Sequence, residues 1–396
     1  MPHTAAASPA PAASPAPAAQ RASAARPASA AAAPPRAIRA VGVVGAGLMA
    51  SQLATLFAQQ LRVPVTMSDL SAERVEAARA GIRARLDRAE AKGRLASGEA
   101  AEIAALISGT TDPADFAGCD AVIEAVFEEL EVKRAVFASA EAAIAPDGLL
   151  LTNTSSLSVE AMAEGLAHPE RVVGFHFFNP VAVLPLLELV RTPVASAKAM
   201  AAAAGLAAAL GKTAVPVADA PGFVVNRLLT RLFAEVLAEI EAAAAAGGDP
   251  LAVDRALAPW GLPMTPLTLI DYIGTAVQQH ICATMHSSYP DRFPLSPWLA
   301  AAAESGVRRL LADDGALVPE ASALLERVAA ARSGAAPEPV DGTRVLERVR
   351  AALAEEVGLT LAEGVVDSAE DIDQCMVLGA NYPAGGLTPL LATPAR

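Results

Sequence analysis

Val41-Gly-Val-Val-Gly45-Ala-Gly47-Leu-Met-Ala50 decides how the first half of this chain folds. A β-branched run enters a Gly-x-Gly-x-x-Ala turn, and an apolar stretch through Leu53 and Phe57 leaves it at helical spacing. Gly45 permits the tight turn, Gly47 lets the backbone approach a pyrophosphate, and the small Ala50 allows close packing of helix on strand, with the helix N-terminus facing the anion. Such a turn alone matches many sequences by chance. Asp69 adds weight, because it ends the next β-branched run, 63–68, at the offset of about 20 residues where a carboxylate accepts hydrogen bonds from ribose hydroxyls and repels the extra phosphate of NADP. Asp69 also simply precedes a helix that Ser71 would cap. Strand, glycine turn, helix, strand and terminal acid in that order predict NAD as the cofactor.

Working outward, runs at 121–125, 149–152 and 172–177 read as further strands separated by Ala/Leu/Glu/Arg stretches, the pattern of βαβ units and a parallel sheet. After about Asp219 the β pattern stops, and 226–241 shows apolar residues at helical spacing. The fold class expected is therefore an α/β Rossmann-type NAD-binding domain over 38–218, followed by an all-α domain over 219–330. Residues 334–339 are rich in small residues and proline, which puts a linker at 331–342 and a second, shorter helical unit at 343–396. A weak internal echo relates Asp254-Arg-Ala-Leu and Gly261-Leu-Pro-Met-Thr-Pro-Leu to Asp373-Gln-Cys-Met and Asn381-Tyr-Pro-Ala-Gly-Gly-Leu. Chance or duplication of a helical unit would each produce it. Residues 1–37 are almost wholly Ala, Pro and Ser, a composition expected to give a disordered tail or linker. Their arginines, without an acid, resemble a transit peptide only superficially, since the prolines would break an amphipathic helix.

A net charge of −13 argues against general nucleic-acid binding, which needs clustered Lys and Arg. No apolar run approaches the roughly 20 residues of a bilayer span, so no membrane association is expected. Cys119, Cys282 and Cys375 are odd in number and far apart, so neither a disulfide framework nor a metal site is indicated, and a cytoplasmic location fits best.

Val172-Val-Gly-Phe-His176-Phe-Phe-Asn179-Pro180 sets a histidine in an aromatic run, and Glu188 follows in Leu186-Leu-Glu-Leu-Val190. A buried carboxylate is costly without a partner, and a histidine across from it would be one. Paired, Glu188 would orient the imidazole as the general base that oxidation of an alcohol requires. The blander outcome is a histidine satisfied in the core and a glutamate reaching solvent at a strand edge. Asn153-Thr-Ser155-Ser156 follows a strand, as binding loops do, although Ser155 and Ser156 suit a turn equally well.

The blocks Gly45-Ala-Gly-Leu-Met, Ile123-Glu-Ala-Val-Phe-Glu-Glu, Asn153-Thr-Ser-Ser-Leu, His176-Phe-Phe-Asn-Pro and Pro221-Gly-Phe-Val-Val-Asn-Arg resemble, in order and separation, the L-3-hydroxyacyl-CoA dehydrogenase family. The resemblance covers about residues 40–275, and 351–391 is similar to the second helical repeat in the dehydrogenase half of multifunctional fatty-acid oxidation enzymes. It implies NAD-dependent interconversion of L-3-hydroxyacyl-CoA and 3-ketoacyl-CoA in fatty-acid β-oxidation, with His176 as base and Glu188 as its partner. Ser155, Asn179 and Asn226 would hold the substrate. Gly45, Gly47, Ala50 and Asp69 would hold the cofactor, with Glu128 and Lys133 on its nicotinamide side, unless those two are merely a solvated helix start. An acyl-CoA substrate, no nucleic acid and a separate enoyl-CoA hydratase or thiolase are the partners implied, and tandem helical repeats lean towards a monomer. The helix with Arg83, Arg85, Arg88 and Lys92 is the expected basic surface for coenzyme A phosphates. The chain departs from the usual pattern at Ala50, Ser51 and Gln52 and at Thr265, where small residues and glycine are commoner. That puts in question the helix packing under the pyrophosphate and the fit of the helical domain to the cleft. Two rival readings remain: a β-hydroxyacid-type dehydrogenase, disfavoured because none of the four lysines follows Asp219, and a non-catalytic NAD-binding scaffold.

Overall fold

The computed structural model describes residues 38–332 and 340–392; the expected tail 1–37 and the 334–339 linker lie outside the described residues. Eight strands make one sheet: β1 Val41–Val44, β2 Val65–Ser68, β3 Ile107–Thr110, β4 Ala121–Glu124, β5 Leu149–Thr152, β6 Val172–Phe177, β7 Leu186–Arg191 and β8 Thr213–Ala218. Their spatial order is β3-β2-β1-β4-β5-β6-β7-β8. The order reverses between β1 and β4, which opens a crevice at the carboxyl ends of those strands.

The sheet is parallel as far as β6, and β7 then runs antiparallel to it, so the parallel pattern expected along the chain does not hold throughout. The cause is the short connection from Phe177 to Leu186, which is too brief for a parallel crossover of a dozen or more residues. β8 pairs parallel to β7, and Pro216 is tolerated there because β8 is an edge strand.

Side-chain alternation divides the interior in two. Val173, Phe175 and Phe177 of β6 and Leu187 and Leu189 of β7 join Leu53 and Phe57 of the helix Leu48–Leu61 on one face. Val172, Leu186 and Val190 face the other way, into a core shared with the helical part of the chain. By period two, His176 and Glu188 also point to that second face. The described residues, 38–332 and 340–392, fall in one compact unit.

The helix Val225–Ala245 is the spine of the helical part, with Leu228, Leu232, Phe233, Val236 and Ile240 buried. Helix Gly342–Ala362 lies along it. Arg227 pairs with Glu356, Arg348 with Glu235 and Glu239, and Arg344 with Glu239, so the partner numbers rise on one helix as they fall on the other and the two helices are antiparallel. The two echoing segments share a device. Asp254 accepts from the Leu267 N–H at the start of helix Pro266–Ile273 (2.8 Å), and Asp373 accepts from the Thr388 N–H at the start of helix Thr388–Ala392 (2.7 Å). Thr265, which departs from the glycine usual there, is the N-cap of its helix and accepts from the Thr268 N–H. Among the described residues, no helix is long and apolar enough to cross a membrane.

Candidate active site

The cofactor loop has the shape its sequence requires. Gly45 adopts φ 116°, and a Cβ there would lie 2.7 Å from the Ala125 carbonyl oxygen, so only glycine fits. Gly47 begins helix Leu48–Leu61 with no side-chain cap, and a Cβ there would meet nothing within 4 Å. An uncapped helix N-terminus beside open space suits a pyrophosphate, whose oxygens accept the terminal N–H groups. Ala50 is fully buried against the turn. Leu48, Leu70 and Phe127 follow the carboxyl ends of β1, β2 and β4 and stay exposed, Leu70 at 98%. Apolar side chains left in water around one crevice suit the faces of a flat cofactor. Asp69 stands at the end of β2 with its carboxylate 3.3 Å from the Arg74 guanidinium.

Glu128 and Lys133 are not a solvated helix start. Lys133 is 1% exposed, with its ammonium 2.8 Å from both oxygens of the buried Glu124 and 3.1 Å from Glu128. Glu128 accepts from the Thr154 hydroxyl (2.6 Å) and from the backbone N–H groups of Ser155 (2.9 Å) and Ser156 (3.2 Å). Burial works to raise its pKa, but Lys133, Thr154 and Ser155 together hold the carboxyl below its ordinary value. The two residues thus shape the Ser155 loop from behind.

His176 and Glu188 are direct cross-strand partners in the β6–β7 register. The imidazole Nδ1 lies 2.7 Å from Glu188 Oε2, with both side chains buried. Glu188 Oε1 accepts from the N–H groups of Val224 (3.1 Å) and Val225 (3.0 Å). Those groups open helix Val225–Ala245, which has no side-chain cap of its own, so the carboxylate faces the positive end of a 21-residue helix. Phe223 enters that helix in the left-handed region (φ 46°), costly for an aromatic residue, and its ring packs 5.6 Å from the imidazole, with Phe178 at 4.6 Å. With Nδ1 engaged by a carboxylate, Nε2 is the ring atom left to exchange a proton.

Asn226 donates to the Ser155 carbonyl (3.4 Å), which joins the helical part to the loop after β5. Asn179 lies exposed past the end of β6, with its Oδ1 bonded to Gln52. Three contributors carry no role in the sequence reading. Asn153 accepts from the Phe177 N–H (2.9 Å) and ties the ends of β5 and β6; its place in the Asn-Thr-Ser-Ser loop was the available signal. Glu124 anchors Lys133. Cys375, on helix Ala369–Ala380, sits close enough to Glu188 that burial first and then that negative charge push its thiol up. On the expected basic surface, Arg83 is paired with Asp87 (2.8 Å), and Arg85, Arg88 and Lys92 are exposed.

Residues 40–220 match the 3-hydroxyacyl-CoA dehydrogenase NAD binding domain, and residues 222–315 match the C-terminal domain of the same family. The chain belongs to the 3-hydroxyacyl-CoA dehydrogenase family. It is 30% identical over 360 residues to the fatty acid oxidation complex subunit alpha of Psychrobacter arcticus, covering 87% of this chain and 49% of that one, so it spans about half the length of that curated relative. The structure of 3-hydroxybutyryl-CoA dehydrogenase from Escherichia coli is similar with a TM-score of 0.76 at 26% identity, covering 90% of this chain and 91% of that one. FadB2 of Mycobacterium tuberculosis is 36% identical with a TM-score of 0.65, covering 69% of this chain and 96% of that one. The family assignment settles NAD as the cofactor.

Proposed function

We propose that this chain interconverts L-3-hydroxyacyl-CoA and 3-ketoacyl-CoA, with His176 as general base and Glu188 as the residue that orients it. The observation that carries the reading is the 2.7 Å bond from His176 to a carboxylate that a helix N-terminus also holds. Glu188 fixes the imidazole with Nε2 as the basic atom and stabilises the imidazolium once a proton arrives. His176 Nε2 removes the proton of the 3-hydroxyl. Bound NAD supplies the hydride acceptor. Ser155, Asn179 and Asn226 hold the acyl-CoA near the base, and Asp69 receives the ribose hydroxyls.

Three segments divide this work: 38–218 binds the cofactor, 219–330 supplies Asn226 and the helix that holds Glu188, and the described residues of 343–396 pack behind them. The similarity to a fatty acid oxidation complex subunit supports a place in β-oxidation in the cytoplasm, with a separate enoyl-CoA hydratase or thiolase as the neighbouring enzyme. The test is NADH consumption with acetoacetyl-CoA and a longer 3-ketoacyl-CoA, alongside NADH binding. His176→Gln should lower kcat by about 10² to 10⁴ while NADH binding persists, since general-base help is typically of that size. Full turnover in the variant would overturn the assignment of the base.

A further inference from the structure

Gln52 stands on the cofactor helix, and its side chain reaches the segment that follows β6. Its Oε1 accepts from the Val181 N–H (2.8 Å), and its Nε2 donates to Asn179 Oδ1 (2.9 Å). A peptide N–H can only donate, so the oxygen of the Gln52 amide must face Val181 and its nitrogen must face Asn179. The Asn179 atom that meets this donor is then its oxygen. One backbone N–H thereby fixes two amide orientations that atom positions alone leave open. The free end of Asn179 is its Nδ2, a donor, three residues past His176. The opposite side of the segment is held separately, by Lys212 Nζ on the carbonyls of Val181 and Leu184 (2.7 Å to the latter). Loss of Gln52 would therefore re-aim the segment and not unfold it.

We infer that Gln52 is a positioning residue, which pins the strand end beyond His176 to the cofactor helix and commits Asn179 to presenting a hydrogen-bond donor to an oxygen of the acyl-CoA. The inference rests on the dehydrogenase reading for the identity of that oxygen. The strut itself does not. Misplacement of a binding group by about 1 Å costs up to about 10²-fold in rate, so a partial release is expected to be smaller.

Gln52→Met keeps the length and removes both bonds. It should lower kcat with acetoacetyl-CoA about tenfold and move KM for NADH by less than about twofold, because the strut acts through Asn179, which the proposed function gives to the substrate. Gln52→Glu still accepts from Val181 but offers Asn179 an acceptor, which turns the Asn179 amide over; its kcat should fall further than that of Gln52→Met. In a double-mutant cycle, Gln52→Met added to Asn179→Ala should lower kcat no further, since the first residue acts through the second. Additive losses, unchanged kcat in Gln52→Met, or a rise confined to KM for NADH would each overturn the inference. Wild-type turnover tests the dehydrogenase reading by itself. The strut is read without turnover in ¹⁵N-edited spectra of the side-chain amides. The Gln52 Nε2 protons should exchange slowly with water and the Asn179 resonance should shift in Gln52→Met. An unprotected, unshifted pair overturns the inference even in an inactive chain.

Discussion

Glu188 and Glu356 are both carboxylates with no exposed surface, and their surroundings differ in one respect. Glu188 faces an imidazole and two peptide N–H groups. Glu356 faces two guanidiniums, Arg227 (2.5 Å) and Arg292 (3.1 Å), with the Tyr289 ring 4.5 Å from the latter. Guanidinium does not lose its proton in proteins, whereas imidazole gains and loses one in the physiological range. The Glu356 cluster therefore has fixed charge and serves to lock helix Gly342–Ala362 onto helix Val225–Ala245. The Glu188 pair holds a ring that can take up and release a proton, as the proposed general base requires. Burial of a charge is thus no signature of a reactive site; the titratability of its partner is.

The comparison breaks if either glutamate does the other's work. Glu356→Leu leaves Arg227, fully buried, with Glu363 (2.8 Å) as its one remaining carboxylate among the described residues, and the loss of one partner from a buried pair typically costs about 3 to 5 kcal/mol. Urea unfolding should show that loss, while kcat of the folded fraction should fall far less than in a dyad variant. Glu188→Gln should do the reverse. A glutamine oxygen still accepts from Val224 and Val225, so stability should change by about 1 kcal/mol or less. Its NH₂ would face His176 Nδ1, forcing that atom to accept and putting the proton on Nε2, where the base is needed. The resulting tautomer is wrong for catalysis, and kcat should fall by about 10² or more. A dyad variant with wild-type turnover, or a Glu356 variant that is inactive yet fully stable, would erase the distinction.

What the sequence makes legible follows the same division between local and distant. The Gly45–Ala50 turn, β1, β5 and β6 lie where their residues predict, because turn chemistry and β-branched runs act over a few neighbours. β3 and β8 escape notice: both are sheet edges, and Gly109 and Pro216 dilute their strand pattern. β7 was visible only as an apolar frame around Glu188, and its reversed direction follows from connection length and not from composition. At the site, His176 and Glu188 suggested each other as a buried base and a buried acid. Nothing local announced that the N-terminus of a helix 36 residues further on would hold Glu188, or that Gln52 would reach Asn179 across 127 residues. Such contacts depend on which elements the completed fold sets side by side.

Asp69 extends the comparison to a charge at the surface, where the smallest effect is expected. Its carboxylate is mostly buried, but its partner Arg74 is about half exposed, so water screens that pair as it cannot screen Arg227 and Glu356. Asp69→Ala removes the acceptor proposed for the ribose hydroxyls, and affinity for NADH should fall about tenfold, near the value of one charge-assisted hydrogen bond. The same change releases the Arg74 guanidinium beside the vacated position, where the 2′-phosphate of NADPH would lie. NADPH binding, measured by nicotinamide fluorescence, should therefore improve as NADH binding weakens, and the improvement should shrink as salt is raised because the new contact lies in water. If NADPH gains nothing, Arg74 does not reach the phosphate and the preference rests on the Asp69 charge alone. If NADH loses nothing, Asp69 does not serve the ribose. A charge pair half in water can be exchanged with a shift of preference, whereas removing one partner from a pair sealed between helices lowers the stability of the fold.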